Sequence, residues 1–238
     1  LGCYKVLGLL DTSVNDWDLY LAIANVSVIC ANPSAPYKDF GELLKTLTGP
    51  NGANVAVATA GISSAGQLMM EMIRAPSKAA YRHVPYDGGN PAVIAAVAGE
   101  TPLVSCLLVE AGDMIKAKRL VPLVAMADKP VPLEGYGDIP PVTKWIPGIS
   151  AALNYFGIWL PKDAPAEVHA TMQQIWSDKI SKSALLADYA KRRAALFTPY
   201  SGEAAHDEAM KLIRQAAWLY YDGGKAKVSP DTVGIARS

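Results

Sequence analysis

The sequence predicts an α/β protein with a mostly parallel sheet and helices on both of its faces. Short apolar runs of strand length alternate with segments whose apolar residues recur at helical spacing. Turns rich in Gly, Pro and Asn separate them. Hydrophobic residues make up 51% of the 238 positions against 18% charged, the balance of a chain that buries a large core. That length suits one large domain or two small ones.

Taken in order, Leu19 to Ala31 is rich in Val and Ile and reads as a strand ended by Asn32-Pro33. Asp39 caps the helix that follows, with Phe40, Leu43, Leu44 and Leu47 on one face. Gly49-Pro50-Asn51-Gly52 breaks the chain, and Asn54 to Thr59 forms a second strand. The loop Ala60 to Ser64 leads into a helix that buries Leu68, Met69, Met72 and Ile73. Tyr81 to Pro85 is extended, Asn90 to Ala98 helical, and Pro102 to Leu108 strand-like. Glu110 to Lys118 is a helix and Leu120 to Ala127 an apolar strand. Lys129 to Gly148, rich in Pro and Gly, reads as a surface excursion, and Tyr155 to Leu160 as another apolar run. Two long helices close the chain. Val168, Met172, Ile175 and Trp176 point inward from Ala166 to Ile180, and Met210, Ile213, Ala217 and Tyr220 from Gly202 to Tyr221.

Several function classes are disfavoured. Lys plus Arg and Asp plus Glu number 22 each, so no global field draws nucleic acid or an anionic membrane. No apolar run is long enough to span a bilayer as a helix. Cys3, Cys30 and Cys106 form no CxxC or zinc pattern; Cys30 reads as a buried small hydrophobe, and a disulfide between two of the three stays open. There is no GxSxG elbow, no HExxH and no paired acidic motif, so neither a catalytic site nor a metal or cofactor is expected. His169 and His206 are expected to face solvent, and Trp145, Trp159, Trp176 and Trp218 to serve packing. His83 lies near a candidate site, where a lone strand histidine is more often structural than a base.

Two turns suggest a ligand. Thr59-Ala60-Gly61-Ile62-Ser63-Ser64 joins a strand to a helix, where open α/β sheets bind ligands. A helix N-terminus offers unsatisfied N–H groups and a partial positive charge to an anion, and Ser63 and Ser64 add hydroxyls. Simple capping by either serine is the alternative. The second turn is Tyr86-Asp87-Gly88-Gly89-Asn90-Pro91. Gly88 and Gly89 let a ligand approach the backbone, and Asn90-Pro91 opens a helix. An ordinary tight turn explains an isolated Gly-Gly-Asn equally, but two such turns, each between strand and helix, favour a ligand.

The runs HVPYDGGNPAVIAAVAGE from His83 and KAKRLVPLVAMADKP from Lys116, then Asp138 to Thr143 and Tyr155 to Ile158, resemble one family in the same order. It is the periplasmic solute-binding proteins of tripartite tricarboxylate transporters, the Bug family, and the resemblance runs from about Val26 to Ala217. It implies a two-lobed, type II-like Venus-flytrap fold that captures a small organic carboxylate in the periplasm and delivers it to a membrane permease. The implied lobes are residues 32–150, and residues 1–31 with 151–238. Family members begin with a strand, a Gly-rich loop and a helix ahead of the position of Leu1, so the first lobe is expected to be incomplete. Carried over in place as ligand-binding positions are Thr59, Gly61, Ser63, Ser64, Tyr86, Gly88 and Gly89. The chain departs from the family pattern at Ser63, where glycine is common, at Gln67, where histidine is common, and around Thr101 to Cys106.

The alternatives are an α/β hydrolase or transferase using Ser63 or Ser64 with His83, which requires a serine–histidine contact, and a ligand sensor of the same fold. For the binding protein, Ser64→Ala and Tyr86→Ala are each expected to weaken carboxylate binding while leaving the protein folded. Calorimetry on both variants checks this, and unchanged affinity would remove the two residues from the site.

Overall fold

A computed structural model describes residues 2–149, 151 and 153–237. In chain order its elements are α1 (Tyr4–Leu7), β1 (Trp17–Asn25), β2 (Ser27–Ala31), α2 (Phe40–Thr48), β3 (Ala56–Thr59), α3 (Ala65–Ser77), β4 (Arg82–Pro85) and α4 (Gly89–Ala98). There follow β5 (Leu103–Leu107), α5 (Leu108–Lys116), β6 (Val121–Ala125), β7 (Val131–Leu133) and β8 (Gly137–Ile139). The chain closes with β9 (Asn154–Pro161), α6 (Ala166–Ile175), α7 (Ala184–Arg192), β10 (Leu196–Ser201) and α8 (Gly202–Asp222). The described residues form two compact units, one of residues 25–153 with 192–195, the other of residues up to 24, 154–191 and from 196 onward.

The first of these units is built on a five-stranded sheet of order β4-β3-β5-β2-β6. β3 pairs parallel with β4 and β5, whereas β2 pairs antiparallel with β5 and β6. Four strands therefore share one direction and β2 alone runs against them, so the sheet is mixed rather than mostly parallel in its pairings. The cause lies in connectivity. β3, β4, β5 and β6 are linked through α3, α4 and α5, each a helical crossover that returns the chain in the same direction. β2 is fed directly from β1 and has no such crossover before it. The single apolar run expected over Leu19 to Ala31 is thus two strands, broken at Val26 and belonging to different sheets.

Helix formation follows the sequence closely here. The Asp39 carboxylate accepts from Glu42 N at 2.9 Å, and α2 buries Phe40, Leu43 and Leu47. The Phe40 ring meets Trp145 edge-on at 5.4 Å. Val28, Cys30, Val104, Cys106, Leu108 and Ile115 form part of the main core cluster. The stretch expected to be a surface excursion contributes the β7–β8 hairpin, and its Leu133 and Ile139 side chains join that core. Its turn and strand residues were hidden by the high Pro and Gly content.

The second unit has a three-stranded sheet of order β10-β1-β9. Gly157 on β9 lies so close to β1 that an added Cβ would collide with Tyr20 O. α8 covers the sheet with Ala209, Met210, Ile213 and Ala217, against Leu19, Leu21 and Val6. α6 departs from expectation, because none of its residues is buried; Val168 is 38% and Ile175 45% exposed. A π-helical turn, Trp176–Ile180, follows, and only Trp176 goes inward, its ring 5.3 Å from Tyr20. Helical spacing defines an apolar face but not what covers it. His169 also differs from expectation: it turns to β1, with Nδ1 3.1 Å from Asp18. Among the described residues, no helix is long and apolar enough to cross a membrane.

All three cysteines are free; Cys30 and Cys106 are sealed on neighbouring strands, and burial raises both thiols far above their ordinary range. The part-buried Cys3 thiol is pushed up to about 11 by the same cause. Since the thiolate is the reactive form, native protein is expected to resist maleimide at Cys30 and Cys106 and to label fully in urea. Mass spectrometry after labelling checks this, and fast native modification of either residue would contradict their burial.

Candidate functional site

Both sequence-derived turns leave the carboxyl ends of adjacent parallel strands. Thr59, the last residue of β3, stands in register with Pro85, the last of β4, and Tyr86 N donates to Thr59 O at 2.9 Å. The two turns are consequently neighbours, and Gly61 is where they touch. A Cβ there would lie 3.4 Å from Tyr86 O, and its φ of +112° favours glycine.

Thr59 is fully buried. Its hydroxyl lies 2.6 Å from His83 Nε2 and 3.3 Å from both the N–H and the carbonyl of Gly61. Thr59 therefore holds the loop from beneath, joining β3, β4 and the turn. The Nε2 of His83 is thus engaged with this sealed threonine.

The loop beyond Gly61 is shaped by α3. Ser63 holds a left-handed φ of +59°, stabilised by its N–H donating 2.6 Å to Gln67 Oε1. Ser64 is the N-cap, its Oγ accepting from Gln67 N at 3.2 Å. Ser64 and Gln67 thus form a shifted capping box, in which the glutamine reaches one residue further back than usual. The Ser64 oxygen serves the cap while its O–H remains a donor. Leu68 N bonds Ser64 O, which leaves Ala65 and Gly66 as first-turn N–H groups without an intrahelical acceptor. Gly66 is required for packing, since a Cβ would collide with the backbone oxygen of Ser105, whose hydroxyl donates to Gly66 O at 2.8 Å.

The second turn is occupied differently. Gly88 caps α4 at φ +112°, ψ 167°, a conformation close to glycine-only. Gly89 lies against the Glu110 carboxylate, which fills the space a Cβ would take. Glu110 accepts from Leu107 N at 2.8 Å, and burial raises its carboxyl above the ordinary range in spite of that bond. A carboxylate of the chain itself already stands at the start of α4, so a second anion meets like charge there. The Tyr86 hydroxyl donates to Glu100 at 3.2 Å, and burial followed by the Glu100 contact pushes the phenol up.

The start of α3 thus presents neutral donors, while the start of α4 lies against the Glu110 carboxylate. Neutral hydroxyls and N–H groups at a helix N-terminus are chemistry that suits a carboxylate. Among the described residues, no cluster of His, Cys, Asp and Glu is placed to hold a metal. Sequence reasoning missed Glu110, which carries no local signal, and noted Gln67 only as a departure, although Ser64-x-x-Gln67 is a readable capping signature.

The fold matches that of solved periplasmic binding proteins. The structure is similar to MatC from Rhodopseudomonas palustris with bound malate, at a TM-score of 0.77, 19% identity, and coverage of 93% of this chain and 74% of that one. It is also similar to BugD, at a TM-score of 0.73, 18% identity, and coverage of 92% and 69%. An R. palustris protein with adipate gives a TM-score of 0.70 at 17% identity, with coverage of 94% and 70%. In sequence, residues 12–215 match the tripartite tricarboxylate transporter family receptor model, and the chain belongs to that family. A curated relative, the UPF0065 protein in the tcbD-tcbE intergenic region of a Pseudomonas species, is 28% identical over 151 residues. Those residues are 62% of this chain and 44% of the relative, so the chain spans under half of that protein's length. The family is one of transport receptors rather than enzymes.

The raised Glu110 carboxyl has a signed consequence for stability. The folded protein holds this proton at higher pH than the unfolded chain does. The group therefore favours folding most at and below the ordinary carboxylate range, and that contribution is lost as pH rises through the raised folded value. Glu110→Gln keeps an acceptor for Leu107 N–H and removes the titration. The variant is expected to melt higher than wild type near neutral pH, with a flatter dependence above about pH 4.3. Thermal melts across that range check it, and parallel curves would count against the assignment.

Proposed function

We propose that this chain is an extracytoplasmic solute-binding protein that captures a small organic carboxylate in the periplasm and hands it to the membrane permease of a tripartite tricarboxylate-type transporter. The observation that carries this is the neutral donor set at the start of α3: the Ser63 and Ser64 hydroxyls with the N–H groups of Ala65 and Gly66. Backbone N–H groups at a helix N-terminus hold a carboxylate by charge-assisted hydrogen bonds, without an ion pair. Membership of the receptor family and the likeness to malate- and adipate-bound proteins support the ligand class and the permease partner. A hydrolase or transferase is disfavoured because His83 bonds the sealed Thr59.

In this reading Ser63, Ser64 and Tyr86 face the ligand, Gly61 and Gly88 allow the backbone to approach it, and Thr59 and Gly89 shape the two turns. Removing the Ser64 cap costs about 1 kcal/mol of stability, so Ser64→Ala weakens the helix start as well as the site.

A ligand that binds only the native state at a hundred times its Kd adds about 2.7 kcal/mol, which raises the melting temperature of a chain of this size by roughly 5–10 °C. Malate, adipate and citrate, screened at millimolar concentration, are the probes; at least one is expected to give such a shift, with no turnover of a carboxylate ester. No shift from any of them, or ester turnover that Ser63→Ala abolishes, would overturn the proposal.

A further inference from the structure

Gln67 does more than close the capping box. It is 7% exposed, deep enough that each of its polar atoms requires an account. Its orientation is determined by chemistry: the atom 2.6 Å from Ser63 N faces a group that can only donate, so that atom is the carbonyl Oε1. The amide Nε2, on the same carbon, is then left beside the Ser63 N–H with two donors. It makes no hydrogen bond among the described residues. Nor is it one of the sealed polar atoms without a partner, so it keeps an opening to the space around the loop. A nearly buried amide with two donors and an opening to that space is available to an incoming acceptor.

We propose that the Gln67 carboxamide is a ligand-binding group, donating from Nε2 to an oxygen of the bound carboxylate. This rests on the assignment of the α3 turn as the carboxylate site. One side chain then has two roles, split between its two heteroatoms. Oε1 holds Ser63 in its left-handed conformation and so presents the Ser63 hydroxyl. Nε2 adds a neutral donor to the Ser63 and Ser64 hydroxyls and the first-turn N–H groups. The donors include no cation, so the preferred partner is a carboxylate oxygen accepting several neutral hydrogen bonds.

Gln67→Glu separates the two roles, because Glu retains an acceptor for Ser63 N–H and replaces the donor with a second acceptor. Calorimetry with malate, adipate and citrate on wild type, Gln67→Glu and Gln67→Met is the test. Gln67→Glu is expected to melt close to wild type yet to bind the tightest of these carboxylates at least about tenfold more weakly at pH 7, the worth of one hydrogen bond to a charged group. The deficit is expected to narrow toward pH 5, as the Glu carboxyl gains a proton that it can donate. Gln67→Met, which lacks both heteroatoms, is expected to lose melting temperature and affinity together, and decides the matter if the glutamate variant does not fold. Wild-type affinity in the variants would overturn the role of Gln67 and leave the carboxylate site standing. A wild-type protein that binds none of the three would overturn both.

Discussion

The site depends on one sealed hydroxyl. Thr59 Oγ1 meets His83 Nε2 at 2.6 Å and touches both backbone groups of Gly61. It ties the last residue of β3 to the neighbouring strand β4 and to the turn above. Parallel pairing alone would bring the two strand ends together but would leave the turn free to vary. With the threonine engaged, the chain leaves β3 in one direction, Gly61 lies against Tyr86 O, and α3 starts at a defined point. Buried polar contacts of this kind are costly when broken, which is what makes them effective in specifying one loop conformation.

Close packing carries that order outward. Gly66 lets α3 rest against the backbone of β5, and Gly89 lets α4 rest against the Glu110 carboxylate. Both glycines stand where a ligand reading would give them to the ligand, and at both the neighbour that excludes a Cβ belongs to the protein itself. The two helix N-termini are therefore not equivalent. That of α3 presents neutral donors, whereas that of α4 already faces an internal carboxylate. A dipole-based argument treats these ends alike, and only the neighbours distinguish them.

Much of the fold was legible from periodicity and punctuation. Asp39 and Ser64 mark helix starts, Gly99 ends α4 in a left-handed conformation, and α4 begins one residue before the Asn90 start that the sequence suggests, with Gly88 rather than Asn90 as its cap. The alternation of strand and helix from β3 to β6 follows from the pattern of apolar residues. Less legible were the reversed strand β2, the hairpin β7–β8 with its buried Leu133 and Ile139, and the exposed apolar face of α6. Each depends on which element lies alongside, and local composition does not record that.

For the candidate site the division is similar. The sequence by itself determined the two turns, their position between strand and helix, and a serine cap at Ser63 or Ser64, because caps and glycine turns are matters of local backbone geometry. Only the tertiary structure decided that Thr59 is sealed beneath the loop, that His83 Nε2 meets a threonine, and that Glu110 stands at the second turn. These are contacts between residues distant in the chain. They are set by strand order and by packing that excludes water, and neither is written in the spacing of neighbouring residues.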